Sequence, residues 1–208
     1  MKKIIKLSML IFAVSCRAQD PIISLSSDEN IEIVTGNYYK DVDNSFFPFL
    51  GEWQFDNGFH FFKIKLKKIT RYRKQYQANY YFEDLVIGEY IFKENNIEKV
   101  NTLNTLDDVA VSPYRHNIVG NIIKYKDNFP LCNECAINEK RLSLIFNDPT
   151  REISGLLANI ELRRVDENGI QKLKMILRQT GNLELENGMM PEYTSFNLPW
   201  GTYILTRP

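Results

Sequence analysis

Gly51-Glu52-Trp53-Gln54-Phe55-Asp56-Asn57-Gly58-Phe59-His60-Phe61-Phe62-Lys63-Ile64-Lys65-Leu66-Lys67 is the stretch whose reading decides the fold. Asn57-Gly58 is a two-residue turn signal, because a tight hairpin of this kind needs positive φ at both central positions. Folding the chain there sets Trp53 opposite Phe62 and Phe55 opposite His60, and pairs Glu52 with Lys63 on the other face. Successive side chains of a strand point to opposite sides. His60, Phe62, Ile64 and Leu66 therefore share an apolar face, while Lys63, Lys65 and Lys67 share a charged one. The reading is a half-buried antiparallel hairpin with its aromatic side turned inward.

The same logic extends to both sides. Around Asp166-Glu167-Asn168-Gly169, a four-residue loop places Leu162 opposite Leu173, Ile160 opposite Met175 and Ala158 opposite Leu177, with Glu161 facing Lys174. A two-residue loop at Asn168-Gly169 sets Val165 against Lys172, and the longer loop is preferred on this pattern. A third hairpin at Asn95-Asn96 sets Lys93 opposite Glu98 and Ile91 opposite Val100. Helix signals are scarce, and Pro48 limits the short turn that Asp43-Asn44-Ser45-Phe46-Phe47 could start. The expectation is an all-β fold, a single antiparallel barrel or sandwich over residues 36–208. Closing the sheet would remove its exposed edges.

The 208 residues fit one domain, and Phe, Tyr and Trp make up 12% of them. Lys plus Arg equal Asp plus Glu at 26 each. That balance leaves no electrostatic footprint for DNA or RNA. The N-terminus opens Met1-Lys2-Lys3, and Leu7 to Val14 is apolar but too short to span a bilayer, so residues 1–15 read as a signal peptide. Ala13-Val14-Ser15-Cys16 resembles a lipobox, which implies lipid attachment at Cys16 and a membrane-anchored protein facing the periplasm. Cleavage near Ala18-Gln19, giving a soluble exported protein, is the alternative. Residues 16–35 are polar and read as a tether.

Phe49-Leu50-Gly51-Glu52-Trp53, Phe82-Glu83-Asp84-Leu85-Val86-Ile87-Gly88-Glu89-Tyr90 with Glu98-Lys99-Val100-Asn101-Thr102-Leu103, and Gly201-Thr202-Tyr203-Ile204-Leu205-Thr206-Arg207 resemble a Bacteroidetes family of short exported proteins of unknown function. The resemblance implies no activity. Gly51-Glu52-Trp53 and Arg207 are also similar to the Gly-x-Trp and late Arg of lipocalin-like barrels, in which the Arg covers the Trp. That likeness implies a lipocalin-like barrel.

Four constellations could carry chemistry. Cys132-Asn133-Glu134-Cys135 reads first as a local disulfide in an oxidising compartment; a redox pair, a zinc site completed by His60 and His116, and free thiols are the alternatives. Trp53, Phe55, His60 and Phe62 form a candidate pocket or core. His60 is either an interior His at a strand end or a polar contact inside a ligand pocket. His116 reads as an exposed loop residue. The acidic neighbours Asp41/Asp43 and Asp107/Asp108 read as turn or cap residues, and Glu83/Asp84 point to opposite faces of a strand. No catalytic motif is present in the sequence. The expectation is a non-enzyme without cofactor or metal, anchored to a membrane, that binds a small apolar ligand or an envelope protein. A structural or interaction protein without a pocket is the alternative.

Overall fold

A computed structural model describes residues 20–26, 33–185 and 187–208. Residues 1–15, read above as a signal peptide, and Cys16 lie outside the described residues. Eleven strands are described: β1 Ile22–Ser24, β2 Tyr38–Lys40, β3 Gly51–Asp56, β4 His60–Tyr76, β5 Asn79–Glu94, β6 Ile97–Asn101, β7 Ile118–Lys124, β8 Arg141–Phe146, β9 Ala158–Arg164, β10 Lys172–Gln179 and β11 Gly201–Thr206. β3, β4, β5, β7, β8, β9, β10 and β11 follow one another around an antiparallel up-and-down barrel, which β11 closes by pairing with β3 at Thr206 and Gln54. β4 and β5 are long enough to run past the barrel, and β2 pairs in parallel with the start of β5. β1 pairs with β2, so Ile22–Ser24, inside the stretch read as a tether, is part of the sheet.

Period-two alternation decides what lies inside. Trp53, Phe62, Ile64, Val86, Tyr90, Leu142, Leu144, Phe146, Ile160, Leu162, Leu173, Met175, Leu177 and Leu205 belong to one buried cluster. The residues between them on the strands face outward. Trp53 and Phe62 are on the same side of the sheet, both fully buried.

The faces agree with the sequence pattern, and the strand partners shift. Trp53 pairs with Ile64 and Phe55 with Phe62, two residues from the expected register. The turn moves to Gly58-Phe59 because the Asn57 side chain accepts hydrogen bonds from Phe59 N (3.1 Å) and His60 N (2.7 Å) while Gly58 takes φ +83°. Glu52 lies near both Lys63 and Lys65. In the second hairpin, Met175 pairs with Leu162, Leu177 with Ile160, and Glu161 with Ile176. The two-residue loop is the one that forms: Asn168 (φ 51°) and Gly169 (φ 76°) make the turn, and Val165 N donates to Lys172 O at 3.0 Å. A slip of two keeps every side chain on its face, so the burial pattern could not choose between these loops. In the third hairpin Lys93 does face Glu98, but a bulge between Phe92 and Lys93 moves Val100 opposite Phe92.

Candidate functional site

The barrel has one end closed by aromatic packing. A 3-10 turn over Phe47–Phe49 puts Phe46 and Phe49 into the core, and Trp53 Nε1 donates to Phe49 O at 2.8 Å. The Arg207 guanidinium lies 3.7 Å from the centre of the Trp53 ring, and its Nη1 donates to Leu50 O (2.8 Å) and Glu52 O (3.2 Å). Gly51 has φ +93°, and a Cβ there would meet Arg207 Nη1 at 2.6 Å. A glycine two residues before the Trp is thus a steric need of this closure.

The interior is filled. Trp53, Phe62 and Tyr90 are fully buried against their neighbours and have no exposed surface. An eight-stranded barrel is just wide enough for side chains to fill it. The far end is stoppered by the loops 147–157 and 180–200, whose Ile153, Leu156, Phe196 and Leu198 join the core. Buried Asp148 ties the two loops together, accepting from Thr150 N (3.0 Å) and Asn197 N (2.7 Å). Phe55 and His60 sit half-buried near this end. His60 is 3.6 Å from Glu94 and packs on Phe59 and Phe92, at a strand end and outside the packed centre.

Two polar clusters flank β5. On its inner side, Asp84 accepts from Tyr38 Oη (2.5 Å), Arg71 N (2.9 Å) and Asp41 N (3.2 Å), and Lys68 Nζ lies 3.3 Å away. Burial opposes the Asp84 charge, but these donors outweigh it and hold the carboxyl below its ordinary value. Burial, and the neighbouring Asp84, push the Tyr38 hydroxyl up. Asp41 accepts from Ser45 N (2.6 Å), the capping role its position suggests. On the outer side, Glu83 accepts from Tyr114 Oη (2.6 Å) and Asn121 Nδ2 (2.9 Å), and burial raises its carboxyl above the usual range.

His116 is not exposed. It is buried with its Nδ1 2.8 Å from Glu89 Oε1, and Asn117 Nδ2 donates to Glu89 Oε2 at 2.6 Å. The loop 102–117 crosses the outer face of β5, where Leu85 and Ile87 pack with Leu106 and Val119. The signal for this was the run Leu85-Val86-Ile87, apolar on both faces of the strand, which requires cover on both sides.

Cys132 and Cys135 form a disulfide with Cα atoms 5.3 Å apart, so neither is a free thiol or a zinc ligand. Among the described residues no group of three His, Cys, Asp or Glu could hold a metal. The disulfide braces a strap, residues 125–140, laid over the outer face of β8, β9 and β10. Arg163 Nε donates to Glu139 Oε1 at 2.5 Å, and Lys174 Nζ donates to Glu134 Oε1 at 2.7 Å. Lys174 first, and Arg163 after it, hold the Glu134 carboxyl down at about 2.

No curated protein matches the chain, and no solved structure does. The chain belongs to a family of unknown function, DUF6705, which it matches over residues 1–208.

Proposed function

We propose that this is a lipid-anchored envelope protein that works by contact at its outer surface, with the barrel as a solid support. The observation that carries the reading is the filled interior: the residues that would line a lipocalin-like cavity, Trp53 and Phe62, have no exposed surface. An apolar ligand would have to displace packed side chains, at a cost of several kcal/mol typical of core disruption. The lipobox-like Ala13-Val14-Ser15-Cys16 supplies the anchor, and exposed apolar residues on the strap, Phe129, Leu131 and Ile137, supply contact surface.

Two measurements test this. Labelling with a clickable palmitate should mark the protein and fail with Cys16→Ala; labelling of the variant, or none of the parent, removes the anchor. Native mass spectrometry of the purified Cys16→Ala protein should give the mass of the polypeptide with no noncovalent adduct. A stoichiometric apolar adduct would restore the small-ligand reading and overturn this one.

A further inference from the structure

Beneath the strap, outward-facing cations from three strands converge on one buried carboxylate. Glu161 on β9 is bonded by Arg141 Nη1 through Oε1. Its Oε2 has Arg178 Nη2 at 3.3 Å and Lys124 Nζ at 3.5 Å. Those two distances exceed the roughly 2.7–2.9 Å of a tight charge-assisted bond. Nearby, Arg163 and Lys174 are balanced by Glu139 and Glu134. Among the described residues, Lys124, Arg141 and Arg178 share Glu161 as their ion-pair partner, so this centre carries two more positive charges than negative ones.

The donors are not exhausted either. A guanidinium has five N–H donors. Arg141 uses both terminal nitrogens, on Glu161 and on the carbonyls of Tyr125 (2.5 Å), Asn128 (3.0 Å) and Pro130 (2.9 Å). Its Nε, and that of Arg178, are buried and have no partner. Arg141 itself is only 3% exposed. Uncompensated buried donors and charges are costly, so such a centre favours an added acceptor.

Room for one exists at the same place. A cleft of about 120 Å³ is lined on its polar side by the cations Arg141, Arg163, Lys174 and Arg178 and the carboxylates Glu134 and Glu161, and on its apolar side by Leu131 and Ile176. At roughly 30 Å³ per water, that holds about four waters, the scale of one tetrahedral oxyanion or a carboxylate head. Arg178 is partly exposed and stands at the entrance.

We propose that the cleft between the disulfide-braced strap and the Arg141–Glu161–Arg178 cluster is a binding site for a small oxyanion, a phosphate or a carboxylate, held by Arg178 and Arg141. The oxyanion supplies the charge and acceptors that Glu161 cannot. The site lies outside the barrel, so it stands whether or not the barrel takes an apolar ligand.

The test uses purified protein titrated with inorganic phosphate, sulfate or butyrate, each against sodium chloride of equal ionic strength. One oxyanion at ten times its dissociation constant should raise the melting temperature by about 3–5 °C over the chloride control. The arginine Nε–Hε NMR signals of Arg141 and Arg178 should shift with the same saturation curve. Arg178→Gln should reduce the apparent affinity tenfold or more, while the exposed Arg71→Gln should leave it unchanged. A stronger response to phosphate and sulfate points to phosphoryl ligands, and one to butyrate points to carboxylates. Equal responses in chloride, a full response in Arg178→Gln, or unmoved Nε signals overturn the proposal.

Discussion

The two buried charge clusters make an instructive pair. Around Asp84 and Asp41, two carboxylates meet one lysine, and the shortfall in cations is met by Tyr38 Oη and by backbone N–H groups of Arg71, Asp41, Ser45 and Phe46. Around Glu161, three cations meet one carboxylate, and two guanidinium nitrogens have no partner. The first cluster is finished by the chain itself and holds β2 against β5. The second is completed only in part. Buried polar atoms are nearly always paired in folded proteins. An incomplete cluster beside a cleft is therefore the better place to look for a ligand, and a complete one is the better place to look for stability.

The largest effect should come from breaking the finished cluster. Asp84→Ala strands Tyr38 Oη and the Arg71 N–H, and should cost about 3 kcal/mol in denaturant unfolding. A loss under 1 kcal/mol would mean that the cluster is not the lock it looks like. Next, Glu161→Gln removes the sole carboxylate from three cations and should cost about 2–3 kcal/mol. Millimolar phosphate should stabilise Asp84→Ala only as much as it stabilises the parent, and Glu161→Gln by more than that. Equal behaviour of the two variants would erase the contrast.

A smaller effect comes from pH. Glu134 and Glu139 are both held below their ordinary value of 4.5, Glu134 at about 2. A depressed carboxyl stabilises the fold fully above its unfolded value and loses that contribution as pH falls through its folded one. The stability difference between parent and Glu134→Gln should therefore be complete above about pH 5 and vanish toward pH 2. Glu134 is exposed, so the difference should stay below about 1 kcal/mol. Melting curves across that range check it, and a pH-independent difference would remove the strap ion pair. The smallest effect is Arg178→Gln without oxyanion, within about 0.5 kcal/mol. A large loss there would make Arg178 a structural residue.

Much of the barrel was legible. The alternation from Trp53 to Leu66 assigned each side chain its face correctly, and the Gly51-Glu52-Trp53 and Arg207 likeness anticipated that Arg207 covers Trp53. Strand partners in two hairpins were each displaced by two, because the pattern repeats every two residues and turn chemistry at Asn57 and Asn168 made the choice. His116 was misplaced because its cover depends on which strand the loop 102–117 crosses. The proposed oxyanion cleft had no linear signature, since its residues are scattered from Pro130 to Arg178.

By itself the sequence determined which residues seek an apolar interior and which stretches reverse the chain. Those are local properties, carried by side-chain chemistry and the two-residue period of a strand. Only the tertiary structure decided that the interior is solid, that the disulfide braces a strap, and that three basic residues crowd one buried carboxylate. These depend on which strands lie side by side once the barrel closes, and on the loss of water that makes charge imbalance matter.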